Sequence, residues 1–323
     1  MLRLPDAHVV SPTRLILLHT LLPTVDLYLL RSSPRSRTLR SCLIGYHALL
    51  PLLLTSNHPA IDLFLVPTPI YVCAQNMSLP APLPPVKDIV LSLCSVMLEP
   101  NPPPDSTRIR QRGVLKMARG ALKYGIKLLL VPLLSNEQDL LQLPFYSPLS
   151  IGNTLGYGAV LYCIVGSVTD VVTGLAQAIM NKDLMELMDN PYFAYSLKDF
   201  WSRRWNRIMA NMFHRSVFAP TKQDQTVEQR RWKNSLSAMT TFAASGVFHE
   251  ILVSSLFRET HGEHMAFFLL QGLATVAEVQ CLGSHYAPKG IQHVLSTSST
   301  FLWLGVTGRL FFLPFWRRTF FSL

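Results

Sequence analysis

Apolar residues along this chain come in blocks that are long enough to cross a lipid bilayer, and polar stretches separate them. A membrane-spanning helix needs about twenty mostly apolar residues. Clear blocks lie near residues 14–30, 39–55, 59–75, 151–180, 235–257, 264–282 and 298–315, and weaker ones near residues 86–98 and 113–134. The pattern predicts an all-α transmembrane bundle of about 7–9 spans, with residues 1–323 forming a single membrane-embedded domain. Asp26 and Asp170 are polar exceptions within the blocks, which we expect either to pair inside the bundle or to lie near an interface.

The composition supports a membrane protein. Of the 323 residues, 49% are hydrophobic and 15% are charged, whereas soluble proteins carry about 25% charged residues. The formal net charge is +10, but the cations lie between the apolar blocks, which favours membrane lipid or an anionic cofactor over nucleic acid as the partner. The five cysteines are dispersed without zinc-like spacing, so we expect neither a metal site nor a disulfide framework.

A basic stripe lies in the weaker block near residues 113–134. Lys116, Arg119, Lys123 and Lys127 are spaced three, four and four residues apart, which places them on one face of a helix. With an apolar face opposite, the stripe predicts an amphipathic helix lying on the membrane surface. The alternative is an ordinary span flanked by lysines that extend towards water.

A long polar segment between the blocks at 151–180 and 235–257 contains SLKDFWSRRWNRIMANMFHRSVFAP. From Lys198 to Lys233 it holds nine Lys or Arg and three Asp or Glu, which predicts a cytoplasmic loop. Its aromatic and basic residues recur at helical spacing, which predicts a helix half-sunk in the membrane surface; they are Phe200, Trp201, Arg204, Trp205 and Ile208. Because arginine suits phosphate groups, the segment either receives an anionic ligand or simply anchors the bundle.

The stretch SGVFHE places a titratable pair, His249 and Glu250, inside the apolar block 235–257. A zinc protease would need HExxH, but the fifth position is Val253, so that site is excluded. Three explanations stay open: a proton relay in a transporter, a structural histidine, or a general base that deprotonates an alcohol. Glu250 lies about 100° around the helix from His249, so we expect it to pair with a neighbouring helix instead.

Together these stretches resemble the plant- and algal-type wax synthases of the membrane-bound O-acyltransferase superfamily. The resemblance rests on NPYFAYSLKDFWSRRWN, ASGVFHE and FFLLQG with Glu278 downstream, and it is firmest over residues 185–282. Ser202 stands where many relatives have glycine, and Gln271 where many have histidine. The substitution at Gln271 puts any role of the missing histidine in doubt.

The resemblance implies a helical bundle with a buried reaction chamber in the endoplasmic reticulum membrane. The implied reaction is transfer of an acyl group from acyl-CoA, as co-substrate, to a long-chain alcohol, with a sterol or a specialised-metabolite hydroxyl as the alternative acceptors. It needs no permanently bound cofactor or metal. His249 would be the general base, and Asn206 would orient the acceptor or stabilise the oxyanion. CoA would be held by the neighbouring loop residues, which are Arg203, Arg204, Trp205 and Arg207. A transporter and an inactive membrane scaffold are the alternatives from other classes.

Overall fold

The computed structural model describes residues 2–33, 36–58, 105–214, 227–284 and 286–321, together with scattered residues between 61 and 102. The apolar blocks predicted at 59–75 and 86–98 lie largely outside the described residues. The numbered helices are α1 (Pro12–Ser32), α2 (Arg37–Leu53), α3 (Ser106–Leu130), α4 (Glu137–Gln142), α5 (Pro148–Met180), α6 (Leu197–Asp199), α7 (Arg207–Phe213), α8 (Val227–Phe257), α9 (Glu263–Leu282) and α10 (Ile291–Trp316). Four short strands accompany them: β1 (Leu2–Arg3), β2 (His8–Val9), β3 (Leu54–Thr55) and β4 (Glu259–Thr260). Each remaining predicted apolar block thus corresponds to a helix, which confirms the helical character of the chain.

Four of the described helices are long and apolar enough to cross a membrane. They are α1, α5, the Arg231–Phe257 part of α8, and α9. Their ends follow from local sequence. For example, α5 begins after Ser147, whose hydroxyl accepts the backbone N–H of Ser150, with Pro148 in its first turn. It ends at Asn181 in the left-handed conformation, which asparagine adopts more readily than most residues.

The chain divides into two compact units. The first unit comprises Met1–Leu93 and Met212–Gly272, and the second comprises Cys94–Asn211 and Leu273–Leu323. In the first unit, β1 pairs antiparallel with β4 and β2 pairs parallel with β3. The buried carboxylate of Asp26 on α1 lies 2.5 Å from Nε2 of buried His47 on α2. This polar exception within an apolar block is therefore paired inside its own unit.

In the second unit, α3 lies along α5, and α10 packs against the first half of α5. A Cβ atom on Gly308 of α10 would lie 2.9 Å from the Thr154 methyl carbon. Arg309 donates to the carbonyl oxygens of Leu140 and Leu143 at the end of α4, at 3.1 and 2.9 Å. This arginine therefore has a structural partner, as a cation near a helix C-terminus should.

The first three cations of the basic stripe on α3 contact α5, whereas the sequence predicted a stripe that faces outward. Lys116 and Lys123 are buried, and Arg119 and Lys123 both bind Asp170 of α5. The helix instead exposes its leucines. The spacing identified the right helical face, but that face packs inward because α5 supplies a carboxylate for it.

Candidate active site

His249 lies on α8 in the first unit and turns its ring back along its own helix. Its Nδ1 is 2.8 Å from the carbonyl oxygen of Ser245, one turn earlier. Because a carbonyl oxygen can only accept, Nδ1 donates and carries the proton in this contact. The neutral ring therefore has its lone pair on Nε2. That is the tautomer a general base needs.

Aromatic rings surround the imidazole. The ring centroid of His249 lies 4.4 Å from that of Phe268 on α9 and 4.7 Å from that of its neighbour Phe248. The buried ring of His264, also on α9, lies 5.8 Å away. His249 itself is half-buried. Low-polarity surroundings of this kind favour the uncharged imidazole.

Glu250 points away from its neighbour and binds the start of α9, as expected from its position around the helix. Its carboxylate accepts the backbone N–H groups of His264 at 2.9 Å and Met265 at 3.3 Å. It also accepts the hydroxyl of Thr260 at 2.6 Å. An anion at a helix N-terminus is stabilised by the unpaired N–H groups there. Glu250 thus holds the first turn of α9, which carries His264, against α8.

A close approach of the two helices supports this arrangement. A Cβ atom on Gly246 would lie 2.8 Å from the sulfur of Met265 and 3.1 Å from its Cα atom. Gly246 therefore admits the neighbouring helix one turn before His249. A second close contact between α8 and α9 involves Gly272, where an added Cβ would lie 3.0 Å from the Cβ of Phe242. Between these contacts lies Gln271, which is fully buried.

The FWSRR stretch in the second unit forms a π-helical turn rather than the continuous helix that its spacing predicted. The turn covers Phe200–Arg204, and the N–H of Trp205 donates to the carbonyl of Phe200 at 2.8 Å. The chain then leaves the helical conformation before α7 begins. Such turns occur often at functional sites. The Trp205 ring stacks on buried Phe200, with centroids 5.4 Å apart, so it packs the turn from one side.

Glu278 anchors this turn from the second half of α9. Its two carboxylate oxygens accept the backbone N–H groups of Leu197 at 2.9 Å and Lys198 at 3.2 Å. Ser196 caps the same helical start by accepting the N–H of Asp199 at 2.9 Å. The buried carboxylate of Asp199 in turn binds the guanidinium of Arg204. The basic stretch is therefore held by acidic groups on both sides.

Asn206 joins the π-helical turn to α7. Its backbone is in the left-handed region, with φ of 46°, and its side-chain oxygen accepts the N–H of Met209 at 3.2 Å. This is the geometry of an N-cap. Because the oxygen is the capping atom, the side-chain NH₂ group is left as the donor end of the amide.

The three arginines of this stretch have different surroundings. Arg204 binds Asp199 and the carbonyl of Asn190. Arg207 approaches Glu99 at 3.8 Å. Arg203 is exposed, and no ion pair of its side chain is found among the described residues. Burial, followed by the repulsion of nearby Arg203, lowers the pKa of Lys198.

The sequence-predicted residues fall into two groups. Arg203, Arg204, Trp205, Asn206 and the start of α7 at Arg207 belong to the second unit, whereas His249 belongs to the first. The sequence reasoning assigned no role to His264. Its only signal was a histidine in the first turn of the apolar block after SGVFHE.

No group of three or more His, Cys, Asp or Glu side chains suited to a metal ion occurs within the ranges that the structure describes. A proton relay in a transporter would need further charged groups on facing helices, and the three charged groups nearest to that description all have local partners in the second unit. Asp170 binds Arg119 and Lys123, Glu278 binds backbone N–H groups, and Arg309 binds carbonyl oxygens. These contacts account for each group as part of the structure.

One segment of the chain matches a known protein family. Residues 184–270 match the family model described as the membrane bound O-acyl transferase family. The chain is 34% identical over 120 residues to the "Probable long-chain-alcohol O-fatty-acyltransferase 8" of Arabidopsis thaliana, covering 36% of each chain. It is 29% identical over 163 residues to the "Long-chain-alcohol O-fatty-acyltransferase" of Simmondsia chinensis, covering 48% of this chain and 46% of the relative.

A third match covers more of the chain. This chain is 27% identical over 238 residues to the "Acyl-CoA--sterol O-acyltransferase 1" of Arabidopsis thaliana, covering 71% of this chain and 65% of the relative. These three matches therefore span between 36% and 65% of the relatives' own lengths. The matched family segment contains both the π-helical turn and the His249–Glu250 pair. The resemblance seen in the sequence is confirmed over this segment: residues 184–270 match the membrane-bound O-acyltransferase family model, and wax synthase-type sequences are among the similar proteins.

Proposed function

We propose that this protein is an acyl-CoA-dependent O-acyltransferase that esterifies a long-chain fatty alcohol, with His249 as the general base. The observation that carries the proposal is the hydrogen bond from Nδ1 of His249 to the Ser245 carbonyl. It leaves Nε2 as the basic nitrogen, within a segment that matches the acyltransferase family. Neutral imidazole is well suited to removing a proton from an alcohol.

The proposed reaction is direct transfer. Nε2 of His249 takes the proton of the acceptor hydroxyl as its oxygen attacks the thioester carbonyl carbon. The tetrahedral intermediate collapses, the carbon–sulfur bond breaks, and CoA leaves as a thiolate that regains a proton from the imidazolium. The products are the ester and CoA. No covalent enzyme intermediate is needed because a thiolate is a good leaving group.

Asn206 is the proposed donor to the developing oxyanion, or to the acceptor hydroxyl. Support comes from its capping geometry, in which the oxygen is held by the Met209 N–H and the NH₂ group is the donor end. A fixed donor of this kind favours the transition state because it needs no reorganisation.

The CoA phosphates are assigned to the basic loop. Arg203 is the first candidate because its side chain is exposed, while Arg204 and Arg207 shape the loop through Asp199 and Glu99. Trp205 supports the turn by stacking on Phe200. We place this loop on the cytoplasmic side of the endoplasmic reticulum membrane, with a bundle of about 7–9 spans enclosing the reaction chamber.

A sterol is the second candidate acceptor. It is favoured by one observation: the match to the sterol acyltransferase extends over 71% of this chain, against 36% and 48% for the two long-chain-alcohol relatives described above. A specialised-metabolite hydroxyl has no such support. The shape of the acceptor pocket decides between these substrates.

The test is ester formation in a host that lacks its own neutral lipids. Membranes with wild-type protein are given labelled acyl-CoA and either a fatty alcohol or a sterol, and the products are separated. We expect His249→Ala to lower the rate by about 100- to 10,000-fold, the contribution typical of general acid–base catalysis. The matched control is His58→Ala, because His58 is exposed and its contacts with other described residues involve only its backbone.

The outcomes test the acyltransferase function, the identity of the base and the choice of acceptor separately. If wild-type protein esterifies no acceptor, the acyltransferase function is wrong, and a transporter or membrane scaffold takes its place. If His249→Ala retains the wild-type rate, the enzyme function stands but the base is another residue. The acceptor that yields ester decides between a wax synthase and a sterol acyltransferase.

A further inference from the structure

Helix α3 carries its charges inside and its apolar residues outside. Leu115, Leu122 and Leu129 are 67%, 63% and 73% exposed, whereas Lys116 and Lys123 are 6% and 7% exposed. Between residues 113 and 130, every exposed side chain is alanine, valine, leucine, isoleucine or tyrosine. A helix on the surface of a soluble protein shows the reverse arrangement, with polar residues on the outside.

The buried cations of α3 are compensated by α5. Arg119 binds Asp170 through two nitrogen atoms, at 2.8 and 2.9 Å, and Lys123 binds the same carboxylate at 2.8 Å. Lys116 donates to the side-chain oxygen of Gln177 at 2.8 Å. Paired and hydrogen-bonded charges of this kind are the form in which ionised groups are tolerated at membrane depth.

The backbones of the two helices approach closely. A Cβ atom on Gly113 would lie 2.7 Å from the carbonyl oxygen of Gly174, and one on Gly120 would lie 2.9 Å from that of Ser167. Small residues at such contacts are typical of helix packing in membranes. The first turns of α3 therefore lie beside the last turns of α5, so the two helices run antiparallel.

The dimensions fit a bilayer. The stretch from 113 to 130 is roughly 27 Å long at 1.5 Å per residue, close to the hydrocarbon thickness of about 30 Å. Before it, Arg108, Arg110 and Arg112 are exposed, and Arg112 also binds Asp183, just beyond the end of α5. Basic residues therefore mark one end of the helix pair, as expected at the cytoplasmic headgroup level.

We propose that α3 crosses the membrane beside α5, with Leu115, Leu122 and Leu129 in contact with lipid acyl chains and Asp170 as its internal counter-charge. Helix α3 is not one of the four helices that are apolar enough to cross a membrane, because its cations lower its mean hydropathy. In the proposed arrangement the buried cations face α5 and not lipid. The basic end of α3 places the C-terminal end of α5 on the cytoplasmic side. The inference concerns the membrane-facing surface and is independent of the proposed acyl transfer.

Photolabelling from the lipid tests this directly. Full-length wild-type protein is reconstituted into phosphatidylcholine vesicles containing a phosphatidylcholine with a diazirine in its acyl chain. After illumination, the modified residues are located by mass spectrometry. We expect adducts on Leu115, Leu122 and Leu129 of α3 as well as on Val168 and Val172, which are exposed on the apolar helix α5.

Helix α5 is the internal control. Adducts on α5 but none on α3 overturn the proposal. Labelling of α5 would show that the protein is inserted in the bilayer, so the absence of adducts on α3 would mean that its leucines do not contact lipid. A parallel sample is labelled with a water-soluble, membrane-impermeant diazirine. Modification of the three leucines by that reagent also overturns the proposal and assigns the face to water, whereas protection from it agrees with lipid contact.

Discussion

The carboxylate of Glu250 accepts the backbone N–H of His264 at 2.9 Å. This bond fixes the first turn of α9 to α8 directly beside His249. It explains why a glutamate follows the candidate base without touching its ring. Glu250 acts through the helix that it holds, so it is a positioning residue.

Removing the carboxylate of Glu250 should loosen α9. Glu250→Ala leaves the N–H groups of His264 and Met265 without this acceptor, and we expect a loss of about 1–3 kcal/mol in stability. Glu250→Gln keeps an amide oxygen and should lose less. Thermal unfolding in detergent measures both variants. An alanine variant with the wild-type Tm would show that α9 is held by other contacts.

Two substitutions at Asn206 separate the capping role of its side-chain oxygen from the proposed donor role of its NH₂ group. Aspartate caps helices as well as asparagine does, but it lacks the NH₂ group. We therefore expect Asn206→Asp to keep its Tm and lose about 100- to 1,000-fold in ester formation, as for an oxyanion donor. Asn206→Ala should lose activity and also about 1 kcal/mol of stability. Wild-type activity in the aspartate variant would reduce Asn206 to a structural cap.

Substitutions at two arginines of the π-helical turn should have different effects, one on acyl-CoA binding and the other on stability. Arg203→Ala removes an exposed charge, and we expect an unchanged Tm with a KM for acyl-CoA raised about 10- to 100-fold, from a lost charge-assisted bond of about 1.5–3 kcal/mol. Arg204→Ala instead leaves the buried carboxylate of Asp199 without its partner, so its Tm should fall. Steady-state kinetics with varied acyl-CoA and thermal unfolding provide the two readouts. An unchanged KM in Arg203→Ala would remove Arg203 from the CoA site.

Asp170 should be the most sensitive carboxylate of the second unit. Asp170→Asn leaves Arg119 and Lys123 without their shared anion, and breaking a buried pair in this way costs about 3–5 kcal/mol. Thermal unfolding and the monodisperse fraction after detergent extraction measure the loss. The control is Asp139→Asn, which changes an exposed carboxylate on α4 and should leave both readouts unchanged. Equal behaviour of the two variants would contradict the role of Asp170 as counter-charge.

The apolar blocks predicted the described helices well, because a run of apolar residues long enough to cross a bilayer has few other stable conformations. The sequence also predicted that Glu250 binds a neighbouring helix, and pairing inside the bundle was one of its two expectations for Asp26 and Asp170, each of which contacts a basic side chain. In each case, a charged group within an apolar block needs a partner, and helical geometry limits where that partner lies.

Two features could not be read from the sequence. The spacing of the α3 cations identifies a face but not whether it points inward, because that depends on Asp170, 47 positions after Lys123. The π-helical turn likewise depends on one backbone bond between Trp205 and Phe200 and on Glu278, 80 positions after Lys198. Side-chain periodicity carries no signal for either contact.

The pairing of Lys123 with Asp170 also sets an order of events during synthesis. Asp170 is added 47 residues after Lys123, which at about 5–20 residues per second takes roughly 2–9 seconds. During that interval the cations of α3 have no counter-charge on α5, so a lone α3 is poorly suited to leave water. On the proposal that α3 crosses the membrane, the two helices enter the bilayer as a hairpin, and a ribosome that stalls within α5 would leave α3 outside it.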